Sequence, residues 1–242
     1  MRKAKPTQRA LSTKQYSKVG YTVIAFNQTV RKKVDVKIDV NVLDGALKQL
    51  KPRTGIVYLK RLTIVLDEDS EKGFGLARIS RFHHCSILTL AQINANTSFF
   101  AGYDLLSLVP TTQPTLVLAC LTHTLPSALT THIISLPLTL ARLPYHLKHT
   151  LIRTAIKNGA VFEINYTGAL GGESDPVLVE ANAALNGDHA KKNWWASARE
   201  LCRVTKGKNL IVSGGVVAEA DLRAPRDVAN LWVVIGLSYE IC

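Results

Sequence analysis

Six short runs crowded with apolar and β-branched residues recur along the chain: YTVIAF (21–26), RLTIVL (61–66), DLLSLV (104–109), HIISLP (132–137), AVFEIN (160–165) and NLIVSG (209–214). Runs of that length and composition predict buried strands. Between them lie residues with helical spacing: Leu43, Leu47 and Leu50; Leu151, Ile152, Ala155 and Ile156; Trp194, Trp195, Ala198, Leu201 and Cys202. Alternating strands and helices imply parallel pairing through right-handed crossovers, so six such units predict a barrel or an open doubly wound sheet. The last unit is the best punctuated. Its strand ends at Ser213, Gly214 and Gly215 permit a sharp turn or a close approach, and a charged loop VVAEADLRA follows. The helix after it has Pro225 in its first turn, Asp227 at the positive end of its dipole and Gly236 as a left-handed stop.

Two stretches break this rhythm. Residues 83–102, HHCSILTLAQINANTSFFAG, lengthen one connection well beyond the usual few residues and read as an insertion. Gly168 to Asn193 is rich in Gly, Asp and Asn and reads as a surface loop carrying at most a short helix. With 242 residues, 47% apolar and 20% charged, the composition is globular and large enough for a real core. The expected layout is a basic arm at 1–18 and one α/β domain at 19–242.

Net charge is +12, unevenly spread. Residues 1–53 hold 13 Lys or Arg against three Asp, whereas residues 54–242 hold 17 basic against 15 acidic. A basic arm on a near-neutral body suits a polyanionic partner, because cations that neutralise phosphates release condensed counterions; a solubilising tail is the alternative. Cys85, Cys120, Cys202 and Cys242 are widely separated, which suggests neither a metal pair nor a disulfide framework and fits a reducing compartment. The start lacks the apolar run of a signal peptide. The most apolar region, Thr115 to Leu143, is interrupted by His123, Pro126, His132, Pro137 and Arg142, against the expectation of a membrane span.

In a barrel enzyme the catalytic groups stand at the C-terminal ends of the strands. The residues there are Asn27, then Asp67, Glu68 and Asp69, then Glu163 and Asn165, then Ser213. Alternation puts Val161, Glu163 and Asn165 on one face of their strand. A carboxylate on a face turned to a barrel interior could act as a general acid or base, though it is more commonly an ion-paired structural residue. Metal hydrolysis needs His and carboxylate ligands converging on one rim. Here His83 and His84 fall in the insertion, His123 and His132 are isolated, and His146 and His149 stand three apart without a neighbouring carboxylate. No HxH, HExxH, GxxxxGK[ST] or GxGxxG occurs, so neither a catalytic set, a metal site nor a cofactor is expected. Basic residues cluster at the turns instead: Lys60, Arg61, Arg142, Lys148, Arg153, Lys206, Lys208, Arg223 and Arg226 are the candidates for phosphate contact, with solvated or ion-paired surface charge as the alternative.

Five blocks in order carry a resemblance: GYTVIAFNQTV, LKRLTIVLDEDSE, YDLLSLVPTT, LPYHLKHTLIRTAIKNGAVFEINYTGAL and KGKNLIVSGGVVAEADLRAPRDVANLWVVIGLS. Together they resemble the thirty-kilodalton-class protein subunit of nuclear RNase P and RNase MRP, the p30 family, and fungal members of it most. The resemblance implies a TIM-like (β/α) barrel related to the polymerase and histidinol phosphatase superfamily, without that superfamily's metal ligands. Because a polar segment stands where family members begin with a strand resembling DLN, it also implies a barrel incomplete at its N-terminal strand. It implies a noncatalytic subunit in a ribonucleoprotein whose RNA is catalytic, acting in precursor tRNA 5′-end and ribosomal RNA processing. The partners implied are the RNase P and MRP RNAs, a small ferredoxin-like subunit and other proteins of the complex, in the nucleus and nucleolus. Asn27, Arg61, Pro144, Lys148, Glu163, Ser213, Gly214, Arg223, Pro225, Asp227, Asn230 and Leu231 match the family pattern, mostly as framework or interface. A metal-dependent phosphoesterase on the same fold and a general RNA-binding protein are the alternative readings.

Overall fold

The computed structural model describes residues 16, 18–31, 41–66, 100–125, 130–171, 188–216 and 219–236. Most of the basic arm, Asp67 to Asp69, His83, His84, Cys85, Cys242 and residues 83–99 of the expected insertion lie outside the described residues. Six strands form a single sheet in sequence order: β1 (Val23–Arg31), β2 (Val57–Leu66), β3 (Leu105–Pro110), β4 (Ile133–Ser135), β5 (Val161–Asn165) and β6 (Leu210–Ser213). Every neighbouring pair is parallel. Each strand read from the sequence is present, within a few residues of its expected ends.

Parallel strands need crossovers, and the described ones are helical. Helix α1 (Val42–Lys48) follows β1, α2 (Gln113–Leu121) follows β3, and α3 (His149–Lys157) follows β4. A four-residue turn of helix α4 (Thr167–Leu170) and the long α5 (Asp188–Thr205) join β5 to β6, and α6 (Pro225–Ile235) comes last. Local chemistry sets several ends. Asn41 Oδ1 accepts from the Leu43 N–H at 3.0 Å to cap α1, and Thr112 with Thr115 forms a reciprocal capping box for α2. Pro225 opens α6 and Gly236, at φ 102°, ends it, as its sequence predicts.

Two elements differ from the sequence reading. Helix α2 lies in PTLVLACL, which is apolar on nearly all sides; with Thr115, Leu116, Ala119 and Cys120 all buried, no polar stripe marks its period. Helix α5 begins at Asp188, inside the stretch read as a surface loop, because DHAKKN supplies the polar face of a first turn whose apolar contact is only Ala190.

The two faces of the sheet are chemically distinct. Leu62, Ile64, Leu66, Leu108, Ile134, Phe162 and Ile164 point to the helices and pack with Leu116, Ile152, Trp194, Ala198 and Leu201. The opposite face carries Thr63, Ser107, Ser135 and Glu163 among the apolar Val65, Val109 and Ile133, all buried. The sheet curls round this polar face. The chain just before β1 reaches the loop after β6, the far end of the row, where the Tyr21 hydroxyl donates to the Arg223 carbonyl at 2.9 Å. The Arg223 N–H in turn donates to the Tyr166 hydroxyl at 3.2 Å. Tyr16 stands edge-on to Tyr21 with centroids 6.0 Å apart. Three tyrosines thus bridge the side on which the six strands leave the barrel open.

Gly168 marks the tightest packing. A methyl group there would lie 2.2 Å from Trp194 Cδ1 and 3.0 Å from Thr139 Cγ2, while the indole N–H is held by the Asn165 carbonyl at 2.8 Å. Gly168→Ala is expected to destabilise the fold by about 1–3 kcal/mol, the usual cost of overpacking, measured as a lower urea midpoint. Buried His123 is a second probe. Desolvation lowers its pKa to about 4, and its Nε2 has no partner. Between about 6.5, its ordinary value, and about 4 the unfolded chain binds the extra proton, so stability falls as pH drops through that window. Chemical unfolding at pH 7 and pH 4.5 should show that loss, and His123→Gln should reduce it.

Candidate functional site

The concave face is built by strand alternation. Arg61 and Thr63 on β2, Ser107 on β3, Ser135 on β4, Glu163 and Asn165 on β5 and Ser213 on β6 all point to it. The register sets Ser135 beside Glu163 and Asn165 beside Ser213. Arg61 spans the face: its two terminal nitrogens grip both carboxylate oxygens of Glu163, and Nη2 also donates to Ser107 Oγ at 2.8 Å. The Glu163 side chain is fully buried and that of Arg61 is 12% exposed. At the β1 margin the Thr63 hydroxyl donates to Asn27 Oδ1 at 2.6 Å. At the β6 margin the Ser213 hydroxyl donates to Asn165 Oδ1.

Burial alone would raise the Glu163 pKa, but the Arg61 guanidinium and the hydroxyls of Ser213 and Ser135 outweigh it and hold the carboxyl below its ordinary value. It is therefore an anion locked to a cation. A general acid or base needs a reachable proton, and a metal ligand needs free lone pairs; here the guanidinium fork occupies both oxygens. Among the described residues no group of three or more His, Cys, Asp and Glu is placed to share a metal ion. Cys120 and Cys202 are buried free thiols, which desolvation pushes up to about 12 and about 11. Neither is activated as a nucleophile.

The phosphate-contact candidates do not converge. Arg61, named both as a phosphate-contact candidate and among the residues read mostly as framework or interface, lies within the sheet with its fork committed to Glu163. Lys60, on the alternate face of β2, pairs with Asp44 at 3.1 Å. Arg142 and Lys148 occupy the β4–α3 connection and Arg153 the outer side of α3, all exposed. Arg223 and Arg226 are exposed in the β6–α6 corner, where Arg223 Nη1 donates to the Ala220 and Leu222 carbonyls at 2.8 and 3.1 Å. Lys206 and Lys208 are exposed in the α5–β6 turn, which lies at the opposite ends of the parallel strands.

Of the framework candidates, Asn27, Glu163 and Ser213 belong to the polar face. Pro144 is exposed beside buried Tyr145, Leu231 packs partly on the core, and Pro225, Asp227 and Asn230 lie on the exposed side of α6. The turn expected at Gly214 and Gly215 is made at Gly215, which takes the left-handed φ of 58°. A methyl group at Gly215 would approach Thr167 Oγ1 to 3.1 Å. Sequence inspection also missed Ser107, Ser135 and the tyrosine bridge, since single Ser and Tyr residues carry no spacing signal.

These observations define a class first: a curled parallel α/β half-barrel whose described interior is closed by a buried ion pair, with its free positive charge on the outside. The sequence profile of RNase P subunit p30 matches residues 3–242, and the chain belongs to the RNase P subunit p30 family. It is 26% identical over 226 residues to mouse ribonuclease P protein subunit p30, covering 91% of this chain and 69% of the mouse protein. It is 24% identical over 229 residues to the ribonuclease P/MRP protein subunit RPP1 of Saccharomyces cerevisiae, covering 93% and 64%. The Arabidopsis thaliana protein GAMETOPHYTE DEFECTIVE 1 is 27% identical over 238 residues, 92% of this chain but 35% of its own length. The chain thus spans between about a third and two thirds of the length of these relatives. A chain in the cryo-EM structure of archaeal ribonuclease P with mature tRNA shares the fold, with a TM-score of 0.57 at 12% identity, covering 92% of this chain and 77% of that one.

Removing one partner of a buried ion pair leaves the other uncompensated, at a cost of about 3–5 kcal/mol, whereas an apolar pair of similar volume is often neutral. Arg61→Ala and Glu163→Ala should each lower stability by that order, and Arg61→Met with Glu163→Leu should recover most of it in urea unfolding. Because the folded pKa of Glu163 is depressed, its contribution is full above the ordinary carboxylate range and disappears as pH falls through the depressed value. The double variant should lose that part of the acid sensitivity.

Proposed function

We infer that this chain is a noncatalytic protein subunit of the RNase P and RNase MRP ribonucleoproteins, supporting 5′-end maturation of precursor tRNA and processing of ribosomal RNA precursors. The observation that carries this reading is the family match across residues 3–242. The interior agrees with it: the carboxylate best placed for catalysis, Glu163, is bound in the Arg61 fork. On this reading the complex is the enzyme and its RNA performs the hydrolysis. The partners are the RNase P and MRP RNAs, other protein subunits of the complex and, more specifically, a small ferredoxin-like subunit. The place of action is the nucleus, and within it the nucleolus. Residues 19–242 act as one barrel domain behind the basic arm at 1–18.

Affinity purification of the chain from its native cells, with sequencing of the copurifying RNA and an assay for precursor tRNA cleavage, tests this directly. Enrichment of RNase P and MRP RNAs together with cleavage is the expected result. A folded, soluble chain that copurifies with neither RNA would overturn it. Phosphoester hydrolysis by the isolated chain, dependent on bound Mn²⁺ or Zn²⁺, would point to the hydrolase reading instead.

A further inference from the structure

Among the described residues, one side of the barrel carries charge of a single sign. From Leu105 to Phe162 the chain contains no Asp or Glu, yet it includes Arg142, Lys148, Arg153 and Lys157, all exposed. The elements packed against α3 do not offset them. α3 lies between α2 and α5. α2 has no charged residue, and the two carboxylates of α5 are engaged within their own helix, Asp188 by Lys191 at 3.8 Å and Glu200 by Arg203 at 2.7 Å. Among the described residues, none of the four cations meets a carboxylate. Arg153 and Lys157 stand four apart on α3, a spacing at which like charges oppose one another, so the strip is not explained by helix stability.

The other candidate cations differ. Lys60 and Arg61 are paired. Arg223 and Arg226 share their corner with Glu219, Asp221 and Asp227. Lys206 and Lys208 form a two-residue cluster in the α5–β6 turn, at the other end of the strands from the β4–α3 connection.

We propose that the β4–α3 connection and the outer side of α3, carrying Arg142, Lys148, Arg153 and Lys157, form the surface that docks on the phosphate backbone of RNA. This rests on the reading of the chain as a ribonucleoprotein subunit and selects one face for the contact. The strip runs the length of α3, about 14 Å for its nine residues, with the exposed side chains of Thr150 and Thr154 between the cations. None of the exposed large apolar side chains lies on it, so it lacks the apolar face with which a basic helix enters a lipid surface.

The test uses the full chain with two probes, in vitro transcribed RNase P RNA and a mixed-sequence RNA hairpin, and follows affinity against KCl concentration. Each lost phosphate contact makes the slope of log affinity against log salt shallower by about 0.9. Replacing Arg142, Lys148, Arg153 and Lys157 together by Ala should therefore flatten it by roughly 3.6. The pairs Lys206→Ala/Lys208→Ala and Arg223→Ala/Arg226→Ala should each change it by less than about 1. Arg142→Lys/Arg153→Lys, which keeps the charge, should retain the slope, and urea unfolding of each variant separates lost charge from lost fold. A folded quadruple variant with an unchanged slope, or equal losses in all three Ala sets, overturns the assignment. Unchanged RNA binding with loss of a copurifying protein would make the face a protein contact and also overturn it. Copurification of RNase P and MRP RNAs with wild type and quadruple variant alike defeats this proposal alone; their absence from wild type defeats the subunit reading beneath it.

Discussion

The contact between Arg61 and Glu163 constrains the whole sheet. β2 and β5 are three strand spacings apart, about 14 Å if the sheet were flat, yet the guanidinium holds both carboxylate oxygens. The contact exists only because the sheet curls, bringing side chains from distant strands face to face. Once curled, the face is shielded from water, so each charge needs the other and the remaining lone pairs need donors. Ser107 serves the guanidinium, and the Ser135 hydroxyl stands beside the carboxylate in the strand register. The tyrosine bridge from Tyr21 to Arg223 and Tyr166 acts on the same curvature from the open side, tying the two ends of the strand row together.

The division between faces follows from where water is excluded. On the helix side apolar residues of β2, β3, β4 and β5 pack against α2, α3 and α5, and Trp194 fills the space left by Gly168. On the concave side small hydroxyl residues and one ion pair lie among Val65, Val109 and Ile133. A barrel of this kind can place chemistry at the C-terminal ends of its strands; here the buried carboxylate holds the architecture together instead. The exposed charge lies outside, on turns and on α3, where long side chains remain hydrated and free to meet a polyanion.

Low identity to the archaeal structure, 12% with a TM-score of 0.57, shows how little of this architecture depends on particular apolar residues. Strand patterning and helix spacing tolerate exchange among Val, Ile and Leu as long as volume and periodicity are kept. Geometry leaves less freedom at a few positions of another kind: the fork that meets a carboxylate, the glycine under an indole and the left-handed residue after β6.

The sequence alone determined the six strands, the helices at Val42, His149 and Pro225, the face on which Glu163 lies, and the family resemblance. Each is encoded locally, by alternation, by three-and-four spacing or by an ordered motif. The tertiary structure decided the rest. Helix α2 is legible only once it is seen to be buried on most sides, because a helix without a polar stripe has no period to read. Alternation set Glu163 on a face with Val161 and Asn165 but did not give its partner, since Arg61 lies 102 residues away and meets it only after two intervening strands have paired and curled. The same holds for Tyr21 and Arg223, and for the separation of nine turn cations into paired, opposed and unopposed sets. A charge is named by its sequence, but its neighbours, and therefore what it can bind, are set by the distances that folding imposes.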